Sequence, residues 1–401
     1  MTEKRILVSA PACAETLGSE ATVGAKVANL LAELCPIDII TLSDGGIEHP
    51  GKTFRLNCRF DDLNDVSWYP LLRFELAQLR LANRRFLERY PIFHRLTPAG
   101  WKNSLFQPLE HQKVVVGPML RSTPPPTTFA TIFRPRQIDR VAAKLSPNRI
   151  RASLARRYLE SHDSGLLDRA DLIFCGTEVT ANSLSPAQRS RSITMRYSGV
   201  EHKFFTPATY RKTSRAIRLL FVGRLVPYKG LELLLQATQL LKADSAVTLQ
   251  IVGGSDPKRV DHYRRICDRL GILDCVEFVA RINRTRLIDY YRNADFFCMP
   301  SIETYGLAIL EAMSCGCVPI VADSNGPGEI VDDQVGVKIP LIDPETFVCE
   351  YASAIRSLAE SPSRRADLAA ACRERVVTRH DWAAVLRPLR EAYENLLAKL
   401  P

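Results

Sequence analysis

Two glutamates, Glu303 and Glu311, lie eight positions apart in a segment that predicts a strand, a loop and a helix. The apolar run 295–299 predicts a short buried strand ending at Pro300, and residues 306–313 have helical composition. The backbone N–H groups of residues 304–307 would then point at an anion. Glu303 would accept hydrogen bonds from sugar hydroxyls and Glu311 from a ribose diol. For an isolated pair of this kind, a solvated surface is the more common interpretation.

A second strand–turn–helix unit lies upstream and carries the opposite charge. Residues 221–231 run from an apolar strand through a glycine-containing turn into a helix over 232–242. Arg224 and Lys229 lie on that turn, where a guanidinium fork and an ammonium would grip a diphosphate. A cationic turn together with a carboxylate-bearing helix start suits a nucleoside-diphosphate sugar.

These two motifs give the chain a family resemblance. The pattern Gly-Arg-Leu-x-x-x-Lys-Gly followed by Glu-x7-Glu resembles the donor-binding half of the retaining GT-B glycosyltransferases of family 4. The resemblance runs from about residue 218 to the C-terminus and is weaker before it. A Gly-Ser-Glu sequence at 18–20 is similar to a subgroup of that family. The resemblance implies an α/β fold with two Rossmann-like domains facing across a cleft and a C-terminal helix crossing back to the first domain.

The resemblance also implies roles for individual residues. It assigns catalytic roles to Glu303, His94, Arg224 and Lys229. It implies a donor site whose further members are the following: Thr304, Tyr305, Gly306, Leu307, Glu311, Arg281, Gly18, Ser19, Asn325 and Gly326. Glu20 and Arg121 are weaker candidates for contacts with the acceptor or a phosphate.

Several of these positions have a plain structural interpretation as well. Ser19 would cap the first helix, and Glu20 in a first helical turn is favourable without any ligand. His94, without the paired histidines usual in the family, fits a surface or capping residue equally well. Gly117 and Pro118 match a Gly-Pro loop of the subgroup, but the residues that follow depart from it, which leaves the acceptor open.

Composition limits the class of protein. The chain has 401 residues, 46% hydrophobic and 24% charged, which is typical of a globular protein of two domains. The first apolar run is too short for a signal peptide, so we expect a cytoplasmic protein. The eleven cysteines are scattered without a Cys-x2-Cys pair and predict reduced thiols. No Asp-x-Asp occurs, so we expect neither a metal nor a cofactor. The resemblance implies a nucleoside-diphosphate sugar as co-substrate, and we expect its nucleotide to be UDP or GDP.

The formal net charge of +10 is concentrated in the first half, where residues 1–200 carry 27 Lys and Arg against 19 Asp and Glu. One stretch of basic residues is opposed only by Asp139: Arg134, Arg136, Arg140, Lys144, Arg149, Arg151, Arg156 and Arg157. A solvated helical face is one interpretation. Another is contact with an anionic membrane surface or a phosphorylated acceptor, which would make the protein peripheral at the inner face of the membrane. Nucleic acid is a poor third because interleaved aromatic residues and recognised motifs are missing.

The resemblance implies three segments: an acceptor-binding domain over 1–206, a nucleotide-sugar-binding domain over 207–380, and a terminal helix over 381–401 packing back on the first domain. Residues 68–90 predict one long amphipathic helix.

The function expected from the resemblance is transfer of a sugar from a nucleoside-diphosphate sugar to a hydroxyl of a glycan, lipid-linked or small-molecule acceptor, in the biosynthesis of cell-surface polysaccharide, glycolipid or another glycoconjugate. The alternatives are a donor-binding protein of the same fold with little or no activity, and a sugar-nucleotide epimerase.

Overall fold

The computed structural model describes residues 5–11, 13, 19–42, 51–56, 68–96, 104–133, 147–162, 165–209 and 216–400. The chain forms two compact units. Unit 1 comprises Met1–Arg121, Gln137–Ser198 and Trp382–Pro401, and unit 2 comprises Ser122–Arg136 and Gly199–Asp381. The sequence placed the division at 206/207 and gave all of 122–136 to the first domain. The contacts instead divide the chain at 198/199 and give 122–136 to unit 2.

Unit 1 is built on a seven-stranded parallel sheet of order β3-β2-β1-β4-β5-β6-β7. Its strands are β1 (Ile6–Ser9), β2 (Ile37–Thr41), β3 (Thr53–Arg55), β4 (Ile92–Arg95), β5 (Lys113–Met119), β6 (Leu172–Cys175) and β7 (Ser192–Thr194). Its helices are α1 (Ser19–Leu34), α2 (Trp68–Leu81), α3 (Arg84–Leu87), α5 (Pro147–Ser161), α6 (Leu166–Arg169), α7 (Glu178–Asn182), α8 (Pro186–Arg189) and α16 (Trp382–Ala398), with α4 described below. The terminal helix α16 therefore belongs with unit 1, as expected from the family resemblance.

Two local expectations in unit 1 were wrong. The helix predicted over 68–90 is interrupted, because the Asn83 side chain accepts a hydrogen bond from Phe86 N and starts the separate helix α3. Gly117 and Pro118 lie within β5 rather than in a loop, joined by a cis peptide bond. Gly117 has φ +115°, and a Cβ there would lie 2.3 Å from the Phe174 carbonyl oxygen, so only glycine fits.

Unit 2 is built on a six-stranded parallel sheet of order β10-β9-β8-β11-β12-β13. Its strands are β8 (Ile217–Val222), β9 (Val247–Val252), β10 (Val276–Val279), β11 (Phe296–Met299), β12 (Val318–Ala322) and β13 (Val337–Ile339). Its helices are α4 (Ala130–Phe133), α9 (Leu231–Lys242), α10 (Pro257–Arg269), α11 (Arg284–Asn293), α12 (Leu307–Ser314), α13 (Asn325–Ile330), α14 (Pro344–Ala359) and α15 (Pro362–Arg379). Short 3-10 turns occur at Thr127–Phe129, Pro227–Lys229 and Leu273–Cys275.

The central strands of unit 2 are near-continuous apolar runs, because helices cover both faces of the parallel sheet. Phe129 and Phe133 of the 122–133 segment belong to this core, and Phe129 contacts the Phe347 ring edge-on with 6.0 Å between centroids. That packing explains why 122–133 folds with unit 2.

The strand order of unit 2 defines a topological switch point between β8 and β11. From β8 the chain adds β9 and β10 on one side and then returns to add β11, β12 and β13 on the other. In open α/β sheets, ligands bind outside the carboxyl ends of the strands at such a point. The two motifs singled out in the sequence follow β8 and β11, so the topology brings both to this place.

No helix among the residues described is long and apolar enough to cross a membrane.

Candidate donor-binding site

The loops after β8 and β11 are in direct contact at the switch point. Ile302 N donates a hydrogen bond of 3.1 Å to Tyr228 O. Gly230 has φ +68°, and a Cβ at this position would lie 2.1 Å from the Pro300 carbonyl oxygen. Glycine is therefore required where the turn after β8 closes against the loop after β11. This contact therefore joins the two sequence motifs into one site.

Lys229 and Glu303 form an ion pair across this contact. Lys229 is only 7% exposed, and its ammonium lies beside Gly223, where an added Cβ would be 3.2 Å from Nζ. The sequence suggested separate partners for these residues, a phosphate for Lys229 and a sugar for Glu303. In the structure they hold each other in place. An ammonium carries three N–H donors, so Lys229 can contact an anion while it remains paired with Glu303.

Arg224 lies on the same turn and is exposed. Its Nη2 donates a hydrogen bond of 2.6 Å to the Tyr228 hydroxyl. This contact restrains the long side chain and orients its guanidinium fork. Tyr228 was not recognised from the sequence, although its place between Arg224 and Lys229 was the available signal.

The helix that begins after Gly306 supplies backbone donors. Gly306 is the N-cap of α12, has φ +137°, and provides no side-chain cap. Thr304 and Tyr305 precede it in the loop, and Leu307 is the first helical residue. The amino end of α12 therefore presents N–H groups and the positive end of the helix dipole next to the Lys229–Glu303 pair.

Glu311 lies one turn further into α12 and is 9% exposed. The Tyr291 hydroxyl donates a hydrogen bond of 2.8 Å to its Oε2. Burial raises the pKa of Glu311 to about 7, and the Tyr291 hydrogen bond and the Arg284 charge oppose that rise only in part. Among the described residues only Tyr291 donates to this carboxyl, and its Oε1 can accept a hydrogen bond from a ligand hydroxyl.

The turn after β12 completes the site on its other flank. Ser324 Oγ donates a hydrogen bond of 3.1 Å to Ser301 O. Gly326 packs against the loop before α12, where an added Cβ would lie 2.3 Å from Tyr305 Cα. Asn325 has φ +41°, a conformation that asparagine tolerates better than most residues. Asn325 and Gly326 are thus placed beside residues 304–307, as the sequence suggested.

Arg281 lines a cavity of about 470 Å³ at the carboxyl ends of β9 and β10. Its other lining residues are Gly254, Ser255, Pro257, Val260, Asp261, Arg264 and Ala280. The turn after β9 touches the cationic turn, because a Cβ at Gly253 would lie 2.6 Å from Gly223 O. The cavity therefore continues the line of loops that holds Arg224, Lys229 and α12.

Of the candidates in unit 1, Gly18 lies outside the described residues. Ser19 is the first residue of α1, and Glu20 lies in the first turn of that helix. Burial raises the pKa of Tyr197, and the charge of Glu20 adds to that rise. Arg121 Nη1 donates to Ser183 O at 3.0 Å and to Ser183 Oγ at 3.1 Å, which ties it to the end of α7. Its expected phosphate contact stays a prediction.

The catalytic role expected of His94 does not fit the structure. His94 is 0% exposed within β4. Its Nε2 lies 2.7 Å from Gly117 O, and its Nδ1 lies 2.7 Å from the Tyr393 hydroxyl. Burial lowers the pKa of His94 to about 4, so the ring is neutral, with Nε2 donating to the carbonyl and Nδ1 accepting from the tyrosine. Neither nitrogen is left for a sugar, and His94 instead ties α16 to the sheet of unit 1.

A buried polar cluster at the end of β4 was missed from the sequence. The Arg95 guanidinium pairs with Glu75, and its Nη1 donates a hydrogen bond of 2.7 Å to Ser9 Oγ. Ser104 Oγ donates to the second Glu75 oxygen at 2.8 Å. Because it joins the ends of β1 and β4, this cluster fixes the switch point of unit 1. Glu75 is the one acidic residue of α2, and this was its only signal in the sequence.

Among the residues described, no group of three or more His, Cys, Asp or Glu side chains is arranged to hold a metal ion.

The chain is similar to known glycosyltransferases. The family model "Glycosyl transferases group 1" matches residues 204–375, and every unit 2 position named above as a site residue lies within that match. The chain is 31% identical over 256 residues to D-inositol 3-phosphate glycosyltransferase 2 of Catenulispora acidiphila, covering 59% of this chain and 58% of the relative. It is 36% identical over 192 residues to D-inositol 3-phosphate glycosyltransferase of Mycolicibacterium smegmatis, covering 44% of this chain and 43% of that protein. The chain thus spans about half the length of the curated relatives it matches.

Solved structures show the fold over nearly the whole chain. Sucrose-phosphate synthase from Thermosynechococcus elongatus has a TM-score of 0.69 at 21% identity, covering 99% of this chain and 100% of the neighbour. HepE of Anabaena in complex with UDP has a TM-score of 0.65 at 17% identity, covering 98% of this chain and 100% of the neighbour. The predicted GT-B fold class, with two parallel Rossmann-like sheets, is confirmed.

Proposed function

We propose that this protein is a retaining glycosyltransferase of family 4 that moves a sugar from a nucleoside-diphosphate sugar to an acceptor hydroxyl. The proposal depends on one observation: Arg224, Lys229 and the amino end of α12 lie together at the switch point of unit 2. The match of residues 204–375 to group 1 glycosyl transferases supports it.

The chemistry follows from where charge develops. As the bond between the sugar and the diphosphate breaks, negative charge grows on the leaving phosphate oxygen. Donors held in place beforehand lower the barrier because they need no reorganisation during the reaction. Lys229, oriented by Glu303, and Arg224, oriented by Tyr228, are held in this way. Retention follows if the acceptor attacks on the face that the diphosphate leaves, and the leaving phosphate takes the acceptor's proton.

Other parts of unit 2 would hold the remainder of the donor. We place the nucleobase in the cavity beside Arg281 and the ribose hydroxyls against Glu311. Glu303 would accept hydrogen bonds from the transferred sugar and thereby position it. UDP or GDP is the proposed leaving nucleotide, and a UDP complex of the structural neighbour HepE supports the first. No metal or cofactor takes part in this scheme.

Thermal-shift screening of the purified protein against UDP-, GDP- and ADP-sugars tests the donor assignment. A ligand that binds at this site raises the melting temperature as its concentration exceeds its Kd. Stabilisation by one base class, abolished by Arg224→Ala, is the expected result. If no sugar nucleotide stabilises the protein, the proposal fails.

Product analysis then separates transfer from the alternative activities. An acceptor panel would include a phosphorylated cyclitol, because the curated relatives are named for D-inositol 3-phosphate. Transfer with retention gives a product whose anomeric configuration, read by NMR, equals that of the donor. Free epimerised sugar nucleotide identifies an epimerase instead, and donor binding with neither product identifies an inactive binding protein.

For the acceptor side we propose a membrane location at the cytoplasmic face. Helices α2 and α5 pack together in unit 1. Six large apolar side chains on them are between 37% and 62% exposed: Tyr69, Leu76, Leu79, Ile150, Leu154 and Tyr158. The Arg151 guanidinium lies 5.9 Å from the centre of the Tyr69 ring, which joins the two helices into one surface. Arg73, Arg80 and Arg157 are exposed on the same helices.

We call these six residues and their arginines the α2–α5 surface. Basic and apolar groups together match an anionic lipid bilayer, which attracts the cations and accepts the apolar side chains. Of the basic stretch noted in the sequence, Arg134, Arg136, Arg140 and Lys144 lie outside the described residues.

Co-sedimentation with vesicles of anionic or zwitterionic lipid tests this location. Leu154→Glu is expected to weaken binding to anionic vesicles severalfold, since it removes an apolar group and adds a repelled charge. Leu240→Glu is the control, because Leu240 is also an exposed leucine of a helix, at 39%, but belongs to unit 2. Equal binding by wild type to both kinds of vesicle, or equal losses in both variants, contradicts a lipid contact at the α2–α5 surface.

A further inference from the structure

Within the part of the chain that the structure describes, two buried polar atoms next to α12 have no hydrogen-bond partner. They are Ser301 Oγ and Asn325 Nδ2. Ser301 is 0% exposed and Asn325 is 7% exposed. Buried polar groups are nearly always paired, so an unpaired donor in a loop at the carboxyl edge of a parallel sheet is placed to bind a ligand atom.

The orientation of the Asn325 amide is settled by its other contacts. Asn325 Oδ1 accepts a hydrogen bond of 2.8 Å from Thr123 N and another of 3.0 Å from Thr123 Oγ1. A backbone N–H can only donate, so the atom that faces Thr123 must be the carbonyl oxygen. The NH2 group is therefore the end of the amide left without a partner. Flipping the side chain would set two donors against each other.

The unpaired amide lies beside the proposed donor site. Ser324, the neighbour of Asn325, donates to Ser301 O, and Gly326 packs on Tyr305 just ahead of α12. Thr123 lies 202 residues before Asn325 in the sequence, on the segment that folds with unit 2. That segment is anchored through Phe129 and Phe133 in the unit 2 core.

We infer that Asn325 Nδ2 donates a hydrogen bond to an oxygen of the bound sugar nucleotide, and that Thr123 is the positioning residue that turns the amide toward it. The oxygen belongs either to the diphosphate or to a hydroxyl of the transferred sugar. Both are hydrogen-bond acceptors and both are present in the donor. This inference rests on the proposed function and adds a side-chain contact from the turn after β12 to the backbone and ionic contacts already described.

Asn325→Asp is the most informative variant. Its carboxylate still accepts both hydrogen bonds from Thr123 but puts an anion where the NH2 group was. Calorimetric titration with UDP and with UDP-glucose is expected to show affinity about 10-fold weaker or worse. Loss for both ligands assigns the contact to the diphosphate, and loss for UDP-glucose alone assigns it to the sugar.

Two further variants protect the test from misfolding and isolate the role of Thr123. Asn325→Gly removes the side chain while suiting the positive φ, and should weaken binding without lowering the melting temperature of the unliganded protein much. Thr123→Val keeps the backbone donor and loses the hydroxyl. It is expected to weaken binding about threefold, and no further when combined with Asn325→Gly.

Unchanged affinity for both nucleotides in Asn325→Asp and Asn325→Gly overturns the inference. Absence of binding by the wild type to any sugar nucleotide would instead overturn the proposed function on which it rests.

Discussion

Replacing Gly230 with alanine tests the contact that joins the two halves of the donor site. Two costs combine in the folded state. A non-glycine residue at φ +68° costs about 1–2 kcal/mol. The added Cβ would also lie 2.1 Å from the Pro300 carbonyl oxygen, a backbone atom that cannot move aside without displacing the loop after β11. Overpacking of this kind costs about 1–3 kcal/mol more.

Gly271→Ala provides a matched control for the backbone cost. Gly271 has φ +65°, and nothing lies within 4 Å of a Cβ built there. It should therefore lose only the first cost, about 1–2 kcal/mol. The difference between the two variants, about 1–3 kcal/mol, measures the contact of the turn with Pro300.

Urea unfolding followed by tryptophan fluorescence and by circular dichroism gives both stabilities. Coincidence of the two signals must be checked, because a chain of two units can unfold in more than one step. Donor binding supplies the second readout, since only Gly230→Ala displaces the loop that carries Glu303. Equal destabilisation in the two variants, with donor affinity kept in both, would refute the view that this contact builds the site.

Further substitutions test single side chains. Glu311→Gln should remove a pH dependence of stability: the folded-state pKa of about 7 exceeds the ordinary value of 4.5, so the wild type binds more protons when folded and loses stability, on the order of 3 kcal/mol, as pH rises from 4.5 to 7. A wild-type curve parallel to that of the variant contradicts the raised pKa. His94→Gln should remove a pH dependence of the opposite sign. The pKa of His94 is lowered from 6.5 to about 4, so the wild type loses stability as the pH falls from 6.5 to 4. Its donor affinity should stay unchanged, since both ring nitrogens face Gly117 O and Tyr393; a large loss of affinity would restore His94 to the site. Tyr228→Phe removes the hydrogen bond from Arg224 Nη2 and should weaken donor binding, measured by titration calorimetry, about threefold at an unchanged melting temperature.

Sequence reasoning reached the parts of the site whose chemistry is local. A glycine-rich turn with Arg224 and Lys229, and a glutamate before a helix, are visible in short windows. Parallel strands ending at one edge bring such windows together. The two motifs therefore lie at the switch point of unit 2, which only the strand order of the folded sheet defines.

The sequence did not reveal which distant residues contact one another. Nothing local indicates that Lys229 pairs with Glu303, that Tyr291 holds Glu311, or that Thr123 binds Asn325, because each contact depends on how distant elements pack.

For His94 the sequence suggested a catalytic role that its contacts in the structure do not favour. A polar residue near a strand end suggests chemistry, yet its role depends on Tyr393 of the terminal helix, 299 residues away. The assignment of 122–133 to unit 2 was missed for the same reason, since three consecutive prolines indicate a loop but not the core in which Phe129 and Phe133 pack.

Calorimetric titration of a sugar nucleotide into wild-type protein and Lys229→Met tests the central claim most directly. Lys229 is nearly buried and paired at the switch point, so its loss removes a charge-assisted contact with about 1.5–3 kcal/mol of binding free energy, or 10- to 150-fold in Kd. Lys242→Ala, which removes a paired lysine at the far end of α9, serves as the control. Saturable binding by the wild type and the control, lost or weakened at least 10-fold in Lys229→Met, is the expected result. Equal affinity in all three proteins would contradict a donor site at the carboxyl ends of β8 and β11.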